Sequence, residues 1–267
     1  MPMGVLRVGG PRAGHAMHKS WYAPARRPSY LATADRMTQT ACATSDVKMW
    51  AVATDLPDAH GADASAWTAR IGSSLAQAVG AKRPEVDHRG LNGRAALQFA
   101  TGEDMRSDPD YSGTDQMIVS VVCQCGDSSA IRDVICGTNA AARNFILGRP
   151  AINQAWAFRK PTFNYVSSPL GANPRAEALG VAYSTTGAIS TGQAIYGDGE
   201  LLSSVLTSGA IDEGDFGLSA TMFLGMRYTA ANYIEGPISE VYIAAGTSAL
   251  APALQQVQAA QRYRWGI

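Results

Sequence analysis

The chain has no stretch approaching the roughly 20 consecutive apolar residues that a membrane-spanning helix needs, so no membrane insertion is expected. It has no excess of one charge either. Lys plus Arg and Asp plus Glu number 22 each, and a net charge near zero gives no field to gather nucleic acid. The first residues, Met1 to Gly14, hold scattered arginines but no apolar block of about 7–15 residues, so they do not read as a secretory signal. Histidine and cysteine are scarce, at four each. His15, His18, His60 and His88 lie far from the cysteines, and no G-x-S-x-G elbow or phosphate-cradling glycine loop before a helix occurs. These absences leave a chain that is 46% hydrophobic and long enough at 267 residues to bury a core, with nothing that argues for a polynucleotide partner.

What is present divides at about residue 45. Residues 1–45 carry Arg7, Arg12, Lys19, Arg26, Arg27 and Arg36 against the single acid Asp35 before the boundary, broken by four prolines. No helical or strand period runs through them, so they read as an extended basic arm, either disordered or docked on a partner. Its anchors would be Trp21, Tyr22, Arg26, Arg27 and Tyr30, residue types that dominate interface hot spots.

Residues 46–267 alternate short β-type runs with Gly, Asn, Asp and Pro turns such as Asn92-Gly93 and Gly197-Asp198-Gly199. The runs include 47–52, 95–99, 117–124, 132–136, 144–147, 155–159, 179–184, 193–196, 201–206, 220–226 and 238–244. Many short strands with turn chemistry between them predict an all-β, two-sheet antiparallel jelly-roll sandwich. A short helix ends the chain: Pro252 suits its first turn, Leu254, Val257 and Gln261 follow at helical spacing, and Gly266 closes it.

Cys123 and Cys125 are two apart in a strand-like run, so their side chains share a face. The spacing suits buried reduced thiols; a metal or disulfide role is the alternative. Acidic turns at Glu103-Asp104 and Asp212-Glu213-Gly214-Asp215 offer hard oxygen ligands, so calcium is the one cofactor considered, at Glu103, Asp104, Asp212 and Asp215. An aromatic platform beside amides at a loop end suits sugars, which singles out Trp156, Tyr228, Asn232 and Tyr233. Paired catalytic carboxylates are not evident: Glu235 and Glu240 stand five apart with Gly236-Pro237 between them, which on a strand puts them on opposite faces.

Three stretches carry a family resemblance. They are Met49-Trp50-Ala51-Val52 with Asp63 to Trp67, then Lys82-Arg83-Pro84 with Leu91-Asn92-Gly93 to Phe99 and Gly102 to Met105, then Gly236 to Ile243 with the ending Tyr263-Arg264-Trp265-Gly266-Ile267. In order and spacing they resemble the concanavalin A-like, laminin-G-like domains of phage and bacterial surface proteins. The resemblance implies the same sandwich, and a binding role rather than an enzyme. It makes Glu240 a structural residue of the last strand. It also suggests a virion decoration, head-fibre or tail-associated protein, made in a host cytoplasm and displayed on the virion surface. The arm would dock on other virion proteins, the sandwich would bind cell-surface glycans, and the assembly would be a homo-oligomer, a trimer by analogy with phage appendages. The alternatives are an extracellular bacterial carbohydrate-binding module or adhesin, and, further off, a glycoside hydrolase.

Overall fold

A computed structural model describes residues 29–125, 132–139, 142–151, 154–159, 166–169, 175–184, 193–202, 205–206, 221–226, 232–247 and 249–267. Within them the chain forms two antiparallel sheets and two helices, α1 (Ser29–Gln39) and α2 (Ala251–Trp265). The first sheet runs Glu200–Leu201, Gln193–Gly197, Glu177–Ser184, Gln116–Cys123, Gly236–Gly246, Val47–Val52, Ile71–Gly72; Arg94–Phe99 also pairs with Gly236–Gly246 and carries Glu85–Leu91. The second runs Val205–Leu206, Val166–Pro169, Gln154–Arg159, Ala142–Ala151, Arg132–Asn139, Thr221–Leu224, Met105–Ser107, Leu75–Ala76, Ala66–Trp67. The two-sheet sandwich and the closing helix are as the sequence predicts.

The strands at the middle of the first sheet do not alternate in burial. Every residue of Gln116–Cys123, Glu177–Ser184 and Gly236–Gly246 is buried. Alternation disappears when both faces of a sheet are covered, and here one face meets the second sheet while the other meets the helices. Tyr183 donates across the sandwich to the Ile146 carbonyl at 3.0 Å. On the opposite face, Ser120 donates to Gln261 of α2 at 2.6 Å, and Gln258 donates to the Ala178 carbonyl at 2.9 Å. Gln258 and Gln261 of α2 therefore face inward, each with at least one amide atom bonded, while Gln255 and Gln256 stay exposed. Gly180 permits this approach, since a Cβ there would sit 2.5 Å from Gln258 Nε2. Past its last turn α2 stops on Gly266, whose positive φ of 67° lets its N–H reach the Arg262 carbonyl at 2.8 Å.

The end of the basic segment corrects the sequence reading. Residues 29–39, expected to continue an extended arm, form α1, which lies against α2. Tyr30, expected to anchor on another subunit, meets Tyr263 edge-on at 6.3 Å between ring centroids and lies beneath the Arg94 guanidinium at 5.2 Å. Gln256 of α2 donates to the Met37 carbonyl at 2.9 Å. Trp21, Tyr22, Arg26 and Arg27 lie outside the described residues.

A single carboxylate ties these layers together. Glu240, fully buried in the last strand, accepts from Trp50 Nε1 at 2.9 Å, from Trp265 Nε1 at 2.7 Å and from Arg264 Nη1. Arg264 also pairs with Asp35 of α1 at 2.9 Å, and Asp35 pairs with Arg70, which binds Asp55 in turn. The guanidinium groups of Arg70 and Arg264 stand 4.9 and 5.5 Å from the Trp50 ring centroid, where a ring face attracts cations. Removing one partner of a buried ion pair strands the other charge, a loss of about 3–5 kcal/mol. Glu240→Ala is therefore expected to lower urea-unfolding stability by about that amount, whereas Glu240→Gln, which keeps a carbonyl for one indole, is expected to lose less. Equal losses in the two variants would show that the retained amide carbonyl contributes nothing and that the loss follows the carboxylate charge.

Candidate functional site

The residues best placed to meet a ligand lie at one end of the sandwich, where the segment 232–235 enters the last strand beside the start of Arg132–Asn139. Asn232 and Glu235 both have positive φ, 58° and 44°, a conformation non-glycine residues adopt sparingly and tolerate best as Asn. The bend is fixed from both sides. Asn232 donates through Nδ2 to Asp133 Oδ2 at 3.1 Å and accepts at its carbonyl from the Asp133 N–H at 2.8 Å. Arg132 donates to the Tyr233 carbonyl at 3.0 Å and to Glu235 Oε2 at 2.6 Å, and Thr101 donates to the other Glu235 oxygen. Ile234 between them is buried, which pins the segment to the core while Asn232, Tyr233 and Glu235 remain part-exposed. The result is a pre-shaped rim presenting an amide, a largely buried cation, the Glu235 carboxylate, a hydroxyl and one aromatic ring, with the Asp133 carboxylate buried beneath it.

Of the sequence-predicted sugar contacts, Asn232 and Tyr233 fall in this rim. Tyr228 lies outside the described residues. Trp156 stands in the strand Gln154–Arg159 of the second sheet, opposite Gly148 and Ser167 in register. Arg132, Asp133 and Thr101 are residues of this end that the sequence does not point to, because the first two open one strand and Thr101 comes from a distant turn. The one available signal was the polar pair Arg132-Asp133 opening an otherwise apolar run.

The calcium expectation divides. Asp212 and Asp215 lie outside the described residues. Glu103 turns back to accept from the Ala100 N–H at 2.7 Å, and Asp104, fully buried, accepts from Arg106 Nε at 2.6 Å. Burial raises the Glu103 carboxyl, against the lowering effect of its bond from Ala100. Among the described residues these two acids join no group of three ligand-type side chains. The group that does form is Cys123, Cys125 and Glu177, between the sheets.

A cavity of about 160 Å³ is lined by Leu31, Asp35, Thr54, Asp55, Arg70 and Arg264. Its carboxylates are the ones engaged by the two arginines in the network around Trp50, so its polar groups act first as a joint between α1 and the sheet. Glu235 and Glu240 share no cleft: Glu235 sits on the rim, and Glu240 is buried beneath two indoles.

No protein-family model matches the chain, and no curated protein matches it in sequence. Solved structures do resemble it. A mutant of Trypanosoma rangeli sialidase displaying trans-sialidase activity is 11% identical, over 88% of this chain and 38% of that one, with a TM-score of 0.52. Trypanosoma rangeli sialidase in complex with the inhibitor DANA is 11% identical over 80% of this chain and 33% of that one, with a TM-score of 0.51. Domain 4 of an extracellular GH43 arabinanase from Geobacillus stearothermophilus, in complex with arabinotriose, is 14% identical over 79% of this chain and 98% of that domain, with a TM-score of 0.48. This chain spans about a third of the length of the sialidase structures. The likeness to the two sialidase structures is one of fold alone, a two-sheet sandwich consistent with the concanavalin A-like arrangement. It also corrects the expectation that the domain is not an enzyme, which rested on the missing pair of catalytic carboxylates: a sandwich of this kind recurs within chains of sialidases.

The rim makes a separable prediction about Asn232. Asn232→Gly keeps the positive φ and is expected to change stability by only a few tenths of a kcal/mol beyond the lost bond to Asp133. Asn232→Val, β-branched in the left-handed region, is expected to cost about 1–2 kcal/mol more. Chemical denaturation of the pair checks this, and indistinguishable midpoints would mean that the bend relaxes freely.

Proposed function

We propose that this domain binds carbohydrate through the rim formed by Arg132, Asn232, Tyr233 and Glu235, with the buried Asp133 positioning Asn232. The observation that carries the reading is the convergence of amide, carboxylate, guanidinium and tyrosine groups on a segment held at two positive-φ positions by a buried Ile234. Sugars are bound by planar polar side chains that take up paired hydroxyls and by an aromatic face that covers the C–H side of the ring. A prefixed rim binds them without the cost of ordering a loop. The shared sandwich of the two sialidase structures supports this choice of ligand class. A docking arm on a virion partner has no such support: Tyr30 is engaged inside the fold, and the other expected anchors lie outside the described residues.

The test is a glycan array probed with the full chain, followed by calorimetry on the best ligand, with and without a calcium chelator. Tyr233→Ala and Asn232→Ala are each expected to weaken binding by about tenfold or more, the level of an interface hot spot. A change on chelation would show that a metal ion takes part in binding. Binding that survives both substitutions unchanged would move the site elsewhere on the sandwich, and an array without any specific signal would overturn the reading.

A further inference from the structure

Between the two sheets, at the same end of the sandwich as the rim, lies a buried group that glycan binding does not use. Cys123 closes the strand Gln116–Cys123, Cys125 follows two residues on, and Glu177 opens the neighbouring strand directly opposite Cys123. All three are fully buried, and their ligand-type atoms lie within 4.8 Å of one another. Arg149, reaching in from the second sheet and 1% exposed, donates to Glu177 Oε1 at 2.6 Å. The other carboxylate oxygen, Oε2, accepts no hydrogen bond and stands a loose 3.9 Å from Arg175, whose side chain is 43% exposed and also pairs with Asp198 at 2.9 Å.

A carboxylate at the centre of a sandwich is costly, and a carboxylate with one unbonded oxygen is costlier. Two sulfurs next to it are a poor answer to that oxygen if they are only thiols, since S–H donates weakly. They are a good answer if a cation sits between them. We infer that Cys123, Cys125 and Glu177 form a binding site for a thiophilic divalent cation of the zinc class, with Arg149 orienting the carboxylate from behind. A tetrahedral zinc takes sulfur at about 2.3 Å and carboxylate oxygen at about 2.0–2.2 Å, which sets its ligand atoms roughly 3.5–3.8 Å apart. The three ligand atoms, all within 4.8 Å of one another, lie close to that spacing.

The charges balance in both states. Without the ion, two neutral thiols stand beside a Glu177–Arg149 pair of net zero charge. With it, two thiolates and one carboxylate oppose a divalent cation and one guanidinium, again net zero. Loading forms two metal–sulfur bonds and one metal–oxygen bond, and it releases two thiol protons to solvent. In the unloaded protein the hydrogen bond with Cys125 and burial raise the Cys123 thiol well above its ordinary value. Burial likewise raises the Glu177 carboxyl, opposed by Arg149. Three protein ligands leave a fourth position, which a water entering past Arg175 fills. The ion would join two adjacent strands of the first sheet and, through Arg149, brace the second sheet at Arg132, its register partner and a rim residue.

The test uses the full chain, reduced with a phosphine, stripped by chelator and titrated with cobalt(II) as the spectroscopic probe, then with zinc against a chromophoric chelator. One equivalent is expected to give a thiolate-to-cobalt charge-transfer band and tetrahedral visible bands, both discharged by zinc. Cys123→Ser and Cys125→Ser are each expected to abolish the charge-transfer band or cut it by about half, and Glu177→Gln to shift the visible bands. Cys42→Ser and Cys136→Ser leave the spectrum as it was. Zinc affinity is expected to rise by about a hundredfold per pH unit below the thiol pKa values, the signature of two released protons. Should the serine variants fail to fold, alkylation of the wild type with peptide mapping replaces them: zinc protects Cys123 and Cys125 in mild denaturant, while Cys136 stays reactive. No charge-transfer band at one equivalent, a band untouched by both serine substitutions in folded protein, or zinc protection confined to other cysteines would overturn the assignment.

Discussion

The Glu240 carboxylate is the constraint on which the layered arrangement depends. A sandwich needs only two sheets, and the outer face of its first sheet could have been a polar, solvated surface. Here that face bears Trp50, Tyr242 and Ser120, and it must be covered. The two helices supply the cover, and Glu240 specifies how. Its oxygens accept from an indole of the first strand, from an indole of the last helix and from a guanidinium of that helix. Such a site has geometric demands that apolar packing lacks, so it sets the rotation of α2 on the sheet as well as its attachment. Through Arg264 and Asp35 the same demand reaches α1.

This arrangement also explains the polar inner face of α2. Gln258 and Gln261 would be poor core residues beneath an apolar sheet. Over this one they bond the Ala178 carbonyl, the Gly199 N–H and the Ser120 hydroxyl, and the absence of a side chain at Gly180 brings the helix close enough for those bonds to be short. The layer is held by directed bonds around a few aromatic anchors, a combination that favours a single packing over near alternatives.

Those features decide what could be read from the chain beforehand. The apolar runs 47–52, 117–124 and 238–244 stand out as strands because both their faces are buried, and Pro252 and Gly266 bracket α2 by backbone chemistry alone. Helix α1 escapes notice for a physical reason: its inward stripe is Leu31, Ala34, Asp35 and Thr38, helically spaced but only half apolar, since it meets Arg70 and Arg264 rather than a hydrophobic face. The strand Glu85–Leu91 is similarly quiet, with its exposed Glu85, His88 and Arg89 diluting the pattern. The rim was half legible. Asn232 and Tyr233 follow from residue type in a loop, while Arg132, Asp133 and Thr101 join them through pairing across the fold, which no local pattern encodes. Cys123 and Cys125 announce a shared face, and Glu177 joins them only through strand register.

The packing of α1 on α2 has a consequence for how the unit could be carried by other proteins. Tyr30, at the beginning of the described fold, touches Tyr263, near its end. Entry and exit therefore lie side by side on the helical layer, so the whole sandwich could hang from a surface loop of a host domain on two short connections, like a bead on a folded thread. Its orientation on that host would be fixed by the helices. The Asn92–Trp265 hydrogen bond marks the layer's far corner, about 17 Å along the strand Arg94–Phe99 from the rim at a rise of about 3.4 Å per residue, so the mount and the candidate sugar site would not compete for the same surface.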